Sequence, residues 1–192
     1  MKILLVNNHT RHLEALSEAL EGHNLEILNY EPGVKFNYHD KDVVILSGGG
    51  GEGLEINDTY REGKLWYDDQ INFVRSCPKP ILGICMGFEV IARAYGADVE
   101  KLPKLVEGFK KVKPTGAGRK SLSLRRLKQF ESHEWCVPEV SEKEFTVLAK
   151  SKTGVEMFHH KKRPIVATQF HPEVRGGSLD LEPLVQGVVA SA

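Results

Sequence analysis

Three short stretches of this chain hold residue types that could do chemistry together. PILGICMGFEVIARAYG (80–96) places Cys85 between Gly83 and Gly87, LSGGGGEG (46–53) carries four consecutive glycines, and QFHPEV (169–174) sets His171 and Glu173 either side of a proline. A cysteine with a glycine two residues away on each side, after an apolar run and before a helical pattern, fits a nucleophile elbow. Such a turn is too tight for side chains at the flanking positions, which is what the glycines supply. The helix starting at Met86 directs unpaired N–H groups at the sulfur, and this favours a thiolate. The plainer reading of Cys85 is a buried structural cysteine beside two packing glycines, so GxCxG needs support from elsewhere in the chain.

The histidine supplies it. In an extended segment, positions i and i+2 face the same way, so Glu173 can orient His171. A base held by a third group is what a cysteine nucleophile requires. The glycine run ends another apolar strand, where its N–H groups can reach the space above Cys85. One of them, paired with the Met86 amide, can hold a developing oxyanion. A phosphate cradle fits less well, because no Lys-Ser/Thr follows the glycines. A flexible surface loop is the remaining alternative.

These loops need a scaffold that brings them to one edge. KILLV (2–6) is a continuous apolar run suited to a central parallel strand, and RHLEALSEALEG places Leu13, Leu16 and Leu20 on one helical face before Gly22. LEILNY (25–30), DVVILS (42–47) and PILGI (80–84) read as further strands. WYDDQINFVRS (66–76) and GFEVIARAY read as helices, the second stopped by Gly96. This alternation predicts a doubly wound, mostly parallel α/β sheet with helices on both faces. The second half changes style. VEGFKKVKP, KSLSLRRL, FESHEWCV and FTVLAKS are short and partly alternating, which predicts a small antiparallel addition; PIVATQF (164–170) returns to a buried strand, and SLDLEPLVQGVVA closes with a helix. The expectation is one domain over residues 1–192, flavodoxin-like in layout.

Composition narrows the class. Lysine and arginine number 26, as do aspartate and glutamate, so net charge points to neither nucleic acid nor an anionic membrane. Three cysteines without paired spacing suit a reducing cytoplasm better than a disulfide framework. The N-terminal apolar run is cut off by Asn7 and Asn8, and no later window approaches the ~18 apolar residues of a membrane span. His159 and His160 have no spaced carboxylate or cysteine set around them and read as exposed, so no metal site is expected. Cys77 and Cys136 read as packing residues. GRKSLSLRRLK (118–128), with five basic residues and no acid, reads as a solvated hairpin or, less simply, a docking surface.

GICMG, SGGGG and QFHPEV, in this order and spacing, resemble the class I glutamine amidotransferases, a Cys-His-Glu glutaminase family, and the likeness runs nearly end to end. Within that family it is greatest to separate glutaminase subunits of GMP synthase, on ESHEW (131–135), FTVLAKS and the length. The resemblance implies that Cys85 attacks the side-chain amide of glutamine, that Gly49 and Met86 hold the oxyanion, and that His171 and Glu173 move the proton. It implies a substrate pocket drawn from Gly50, Gly51, Glu89, Ser132, His133 and Glu134, and it calls for no cofactor. A chain of 192 residues leaves no room for a synthetase domain, so an ammonia-accepting partner subunit is implied.

The chain departs from the family pattern in three places, one of them RGGSLD after HPEV, which lacks the family's frequent His-Thr. Phe88-Glu89 stands where the family usually ends in Gln, and a carboxylate there can accept a hydrogen bond from an α-ammonium but cannot donate one. Its charge would also raise the thiol pKa. Gly50 stands where a proline is common. These departures keep two further readings open: a stand-alone hydrolase of γ-glutamyl compounds, or a catalytically weak binding or regulatory homologue.

Overall fold

Apolar, β-branched runs that alternate with helical stretches build the first half as the pattern predicts. The computed structural model describes residues 1–49, 55–60, 63–123 and 125–192. The chain opens with β1 (Lys2–Asn8), α1 (Leu13–Ala19), β2 (Asn24–Asn29) and β3 (Val43–Gly49). A two-stranded excursion follows, β4 (Thr59–Tyr60) and β5 (Lys64–Leu65), then α2 (Asp68–Ser76), β6 (Ile81–Ile84) and α3 (Met86–Ala94). The second half contains β7 (Glu100–Pro114), α4 (Gly116–Leu122), β8 (Leu127–Cys136), β9 (Phe145–Lys150), β10 (Val155–His160), β11 (Ile165–Thr168) and α5 (Leu181–Ala190).

The large sheet runs β2-β1-β3-β6-β11-β10-β9-β7-β8. From β2 to β11 all pairings are parallel. Counted among themselves, these five strands stand in the order 2-1-3-4-5, the flavodoxin-like arrangement, whose ligands sit beyond the carboxyl ends near the β1/β3 reversal. Alternate strand residues face opposite layers. Leu4, Val6, Val44 and Leu46 pack with α2 and α3, while Ile3, Leu5, Val43 and Ile45 pack with Leu16 of α1, Leu20 just after it, and α5. Both faces of β1 and β3 are covered, which is why their sequences read as unbroken apolar runs.

The antiparallel part is larger than expected: β10, β9, β7 and β8 extend the same sheet. β7 is a 15-residue strand rather than the short VEGFKKVKP segment. The serine–leucine alternation of KSLSLRRL misleads, because residues 116–122 are helical. Thr115 caps that helix by accepting from Gly118 N at 3.0 Å, and Ser123 ends it in the left-handed conformation at φ 54°. Local capping outweighs an alternation of only four residues. The basic stretch is therefore a helix end and a strand start, not a hairpin, and Arg119, Lys120, Arg125, Arg126 and Lys128 are all exposed. β10, VEMFHH, has no alternation because most of it is buried, and it goes unseen in the sequence. His160, expected to be exposed, is buried against Tyr95 and Phe145, and its Nδ1 accepts from the amides of Lys162 and Arg163 at 3.0 Å. Cys77 and Cys136 are buried and free. Among the described residues no helix is long and apolar enough to cross a membrane.

Candidate active site

The turn from β6 to α3 is as sharp as its glycines suggest. Cys85 sits at φ 50° and ψ −104°, a strained conformation for a residue with a Cβ. A Cβ at Gly83 would lie 2.7 Å from the Gly87 carbonyl oxygen, and one at Gly87 would overlap the Leu46 carbonyl. Neither position admits alanine without backbone movement, so the tight approach of α3 to β6 depends on Gly83 and that of α3 to β3 on Gly87. The strain holds the thiol above the carboxyl edge of the sheet, and α3, nine residues long, begins at the next residue.

His171 follows β11 on the same edge. Its Nδ1 meets Glu173 Oε1 at 2.8 Å, and both side chains are buried. The His171 amide donates to the Phe130 carbonyl at 2.8 Å, which fixes the loop against β8. Its Nε2 has no hydrogen-bonded partner among the described residues. The Cys85 thiol lies close enough that each group shifts the other's proton affinity. A methyl group placed on Gly48 would touch both residues, at 3.1 Å from His171 Cε1 and 3.5 Å from Cys85 Cβ. Burial alone would lower the His171 pKa, but the nearby Cys85 sulfur, then the Glu173 hydrogen bond and charge, outweigh it and raise it to about 10. Burial pushes the Cys85 thiol up, while His171 pulls it back and Glu89 and Glu173 add to the rise.

These groups open into a pocket of about 250 Å³. Gly49 and Met86 share its wall with Cys85, and a Cβ on Gly49 would sit 3.1 Å from Met86 Cβ. Ser132, His133 and Glu134 of β8 also line it, and the Ser132 carbonyl lies 3.9 Å from the Cys85 sulfur. Alternation along the strand separates them: His133 is buried, Ser132 half-buried and Glu134 exposed. Gly50 and Gly51 lie outside the described residues.

Position 89 is in the site and position 88 is not. Phe88 is fully buried and packs on Phe158 with ring centroids 4.8 Å apart. Glu89 lines the pocket with only 3 % of its surface exposed and accepts from Gln169 Nε2 at 2.9 Å. Burial raises its pKa to about 7, against the opposing pull of Gln169, His133 and Arg93. Gln169 Nε2 also lies 3.9 Å from the Cys85 sulfur.

Sequence reasoning missed Gln169 and the loop after β1. Thr10, Arg11 and His12 line the pocket, and the His12 ring centroid is 4.6 Å from that of His171. The signal was present in NNHTRH, a polar run immediately after a central strand, at the edge where open α/β sheets bind ligands.

The family model described as glutamine amidotransferase class-I matches residues 4–191. The glutamine-hydrolyzing GMP synthase subunit of Methanothermobacter thermautotrophicus is 29 % identical over 179 residues, covering 90 % of this chain and 88 % of the relative. The carbamoyl phosphate synthase small chain of Solidesulfovibrio magneticus is 30 % identical over 142 residues, covering 72 % of this chain and 34 % of that protein. A crystal structure from Thermoplasma acidophilum, provisionally assigned to the same kind of GMP synthase subunit, superposes with a TM-score of 0.80 at 27 % identity, covering 99 % of this chain and 92 % of that one.

Proposed function

The chain belongs to the class I glutamine amidotransferase family, and on that premise we propose that Cys85, His171 and Glu173 are its glutaminase triad. In this reading the chain works as one domain in a reducing cytoplasm. The observation that carries it is the His171–Glu173 hydrogen bond of 2.8 Å, which leaves Nε2 free beside a strained cysteine.

Glutamine enters with its side-chain amide over the elbow. The Cys85 thiolate attacks the amide carbon, and the amides of Gly49 and Met86 receive the charge that collects on oxygen. The His171 imidazolium, favoured by Glu173, gives its proton to the leaving nitrogen as the C–N bond breaks. Ammonia departs and a γ-glutamyl thioester remains. Water then attacks the thioester carbonyl, His171 takes its proton, and glutamate leaves with the thiol restored. Glu173 stays ionised throughout and fixes the imidazole orientation.

The ammonia goes to a separate synthetase. The GMP synthase and carbamoyl phosphate synthase relatives support this, and the higher coverage of the GMP synthase relative favours that enzyme as acceptor. The test is ammonia release from glutamine by the purified chain and by Cys85→Ala, with and without the synthetase subunit of GMP synthase. Activity in wild type alone, stimulated by that synthetase, is the expected result. Equal release by Cys85→Ala overturns the triad. A buried carboxylate at position 89 favours one second reading, a homologue with weak turnover that binds rather than hydrolyses. It predicts no covalent labelling of Cys85 by a glutamine-like electrophile.

A further inference from the structure

Beside the pocket, and sharing His133 with its lining, lies a second cluster that the glutaminase reaction does not use as a unit. Glu131 and His133 project from the same face of β8, and Glu156 meets them from β10. One ligand-type atom from each lies within 4.8 Å of the other two. All three side chains are at least nine-tenths buried, with 2 %, 4 % and 1 % of their surface exposed. Each also keeps a polar atom without a hydrogen-bonded partner among the described residues: Glu131 Oε1, His133 Nε2 and Glu156 Oε2. Buried carboxylate and imidazole atoms without hydrogen bonds are costly, and the 3.6 Å approach of His133 Nε2 to Glu131 Oε2 offsets that cost only in part.

We propose that Glu131, His133 and Glu156 form a binding site for a first-row divalent cation, with Zn²⁺ the best match. The remaining contacts of these residues are those that orient metal ligands. His133 Nδ1 lies 2.6 Å from the Trp135 carbonyl, so this nitrogen carries a proton and Nε2, 3.6 Å from Glu131 Oε2, is the one left to bind an ion. The second oxygen of Glu156 is held by the hydroxyls of Ser151 and Thr153, which leaves Oε2 to face the cluster. With an ion bound, two carboxylates and a neutral imidazole carry two negative charges, which one divalent ion balances. One nitrogen and two oxygens suit zinc or its neighbours better than magnesium or calcium, which prefer oxygen alone. A ligand separation of up to 4.8 Å must close to about 3.3 Å around a tetrahedral ion with bonds of ~2 Å, a side-chain rearrangement of more than ~1 Å for the widest pair. In sheet order β8 and β10 are separated by β7 and β9, so the ion would staple the sheet where it curls back on itself. The expectation of no metal, drawn from the sequence, rested on His159 and His160 alone.

The test uses the full chain in a Cys85→Ala background, which removes active-site thiolate as a competing ligand. Chelator-treated protein is dialysed against Zn²⁺, and in parallel against Mn²⁺, and bound metal is counted by mass spectrometry while thermal unfolding is followed. The expected result is one Zn²⁺ per chain with a raised unfolding temperature, and an affinity loss of about a hundredfold or more in both Glu156→Gln and Glu131→Gln. Failure of the Cys85→Ala protein itself to retain stoichiometric metal overturns the site whatever the variants do. Retention undiminished in both glutamine variants would place the metal elsewhere and overturn it equally. Neither outcome touches the triad, whose readout is ammonia release.

Discussion

Gln169 donates to Glu89 at 2.9 Å while its nitrogen lies 3.9 Å from the Cys85 sulfur. One amide thus links the position that departs from the family pattern to the nucleophile itself. A glutamine at 89 would keep this bond, since its carbonyl oxygen accepts as the carboxylate does, and would remove the charge.

Glu89→Gln is therefore expected to raise activity most at alkaline pH. Glu89 ionises near 7, and its charge raises the Cys85 pKa. Each unit by which that pKa falls increases the thiolate fraction about tenfold while the thiol is mostly protonated. The ratio of variant to wild-type kcat/KM should climb several-fold between about pH 6 and pH 8. A ratio flat with pH would show that the carboxylate does not act on the sulfur.

The same substitution alters stability with a definite sign. The Glu89 pKa is raised from 4.5 to about 7 by folding, chiefly through burial. Between these values the unfolded chain has lost the proton and the folded chain keeps it, so stability falls as pH rises through that window. The advantage of Glu89→Gln in denaturant unfolding should grow by ~2 kcal/mol from about pH 5 to pH 8.

Glu173→Gln keeps a hydrogen-bonding atom beside His171 but removes the charge that favours imidazolium. Glutaminase kcat should drop about a hundredfold or more. The raised His171 pKa contributes stability that is complete below its unfolded value near 6.5 and lost as pH climbs toward about 10. With Glu173 neutral, the alkaline limb of the rate profile should move to lower pH, as initial-rate measurements across pH would show.

Backbone strain at Cys85 can be measured with two inactive variants. Alanine keeps the penalty of φ 50°, and glycine removes it. Cys85→Gly should unfold at a higher denaturant concentration than Cys85→Ala, by about 1 kcal/mol. The reverse ranking would mean that the elbow stores no strain.

Gly87→Ala should cost about 3 kcal/mol or prevent folding, because its Cβ overlaps the Leu46 carbonyl. Phe88→Ala should cost a similar ~3–5 kcal/mol through a core cavity against Phe158, with the KM for glutamine unchanged. Urea unfolding and initial rates separate the two effects.

What could be read from the sequence follows from how each residue is placed. Cys85 and His171 end unbroken apolar strands, so their common edge is implied by the alternation itself. β10 is hidden because it is buried without a period, and α4 because four alternating residues mask the Thr115 cap. Glu131 and Glu156 lie 25 positions apart on strands that are not sheet neighbours, and only the curl of the sheet brings them together. His12 sits in a polar run with no period to announce its target.

The bridge between Phe130 and His171 makes the proton carrier a mechanical dependant of the long β7–β8 ribbon. That ribbon exposes Leu105 and Phe109 on its outer strand, and Phe109 rests edge-on against Phe130 at 5.5 Å. Two aromatic rings and one amide thus form an unbroken chain of contacts from the outside of the ribbon to the imidazole.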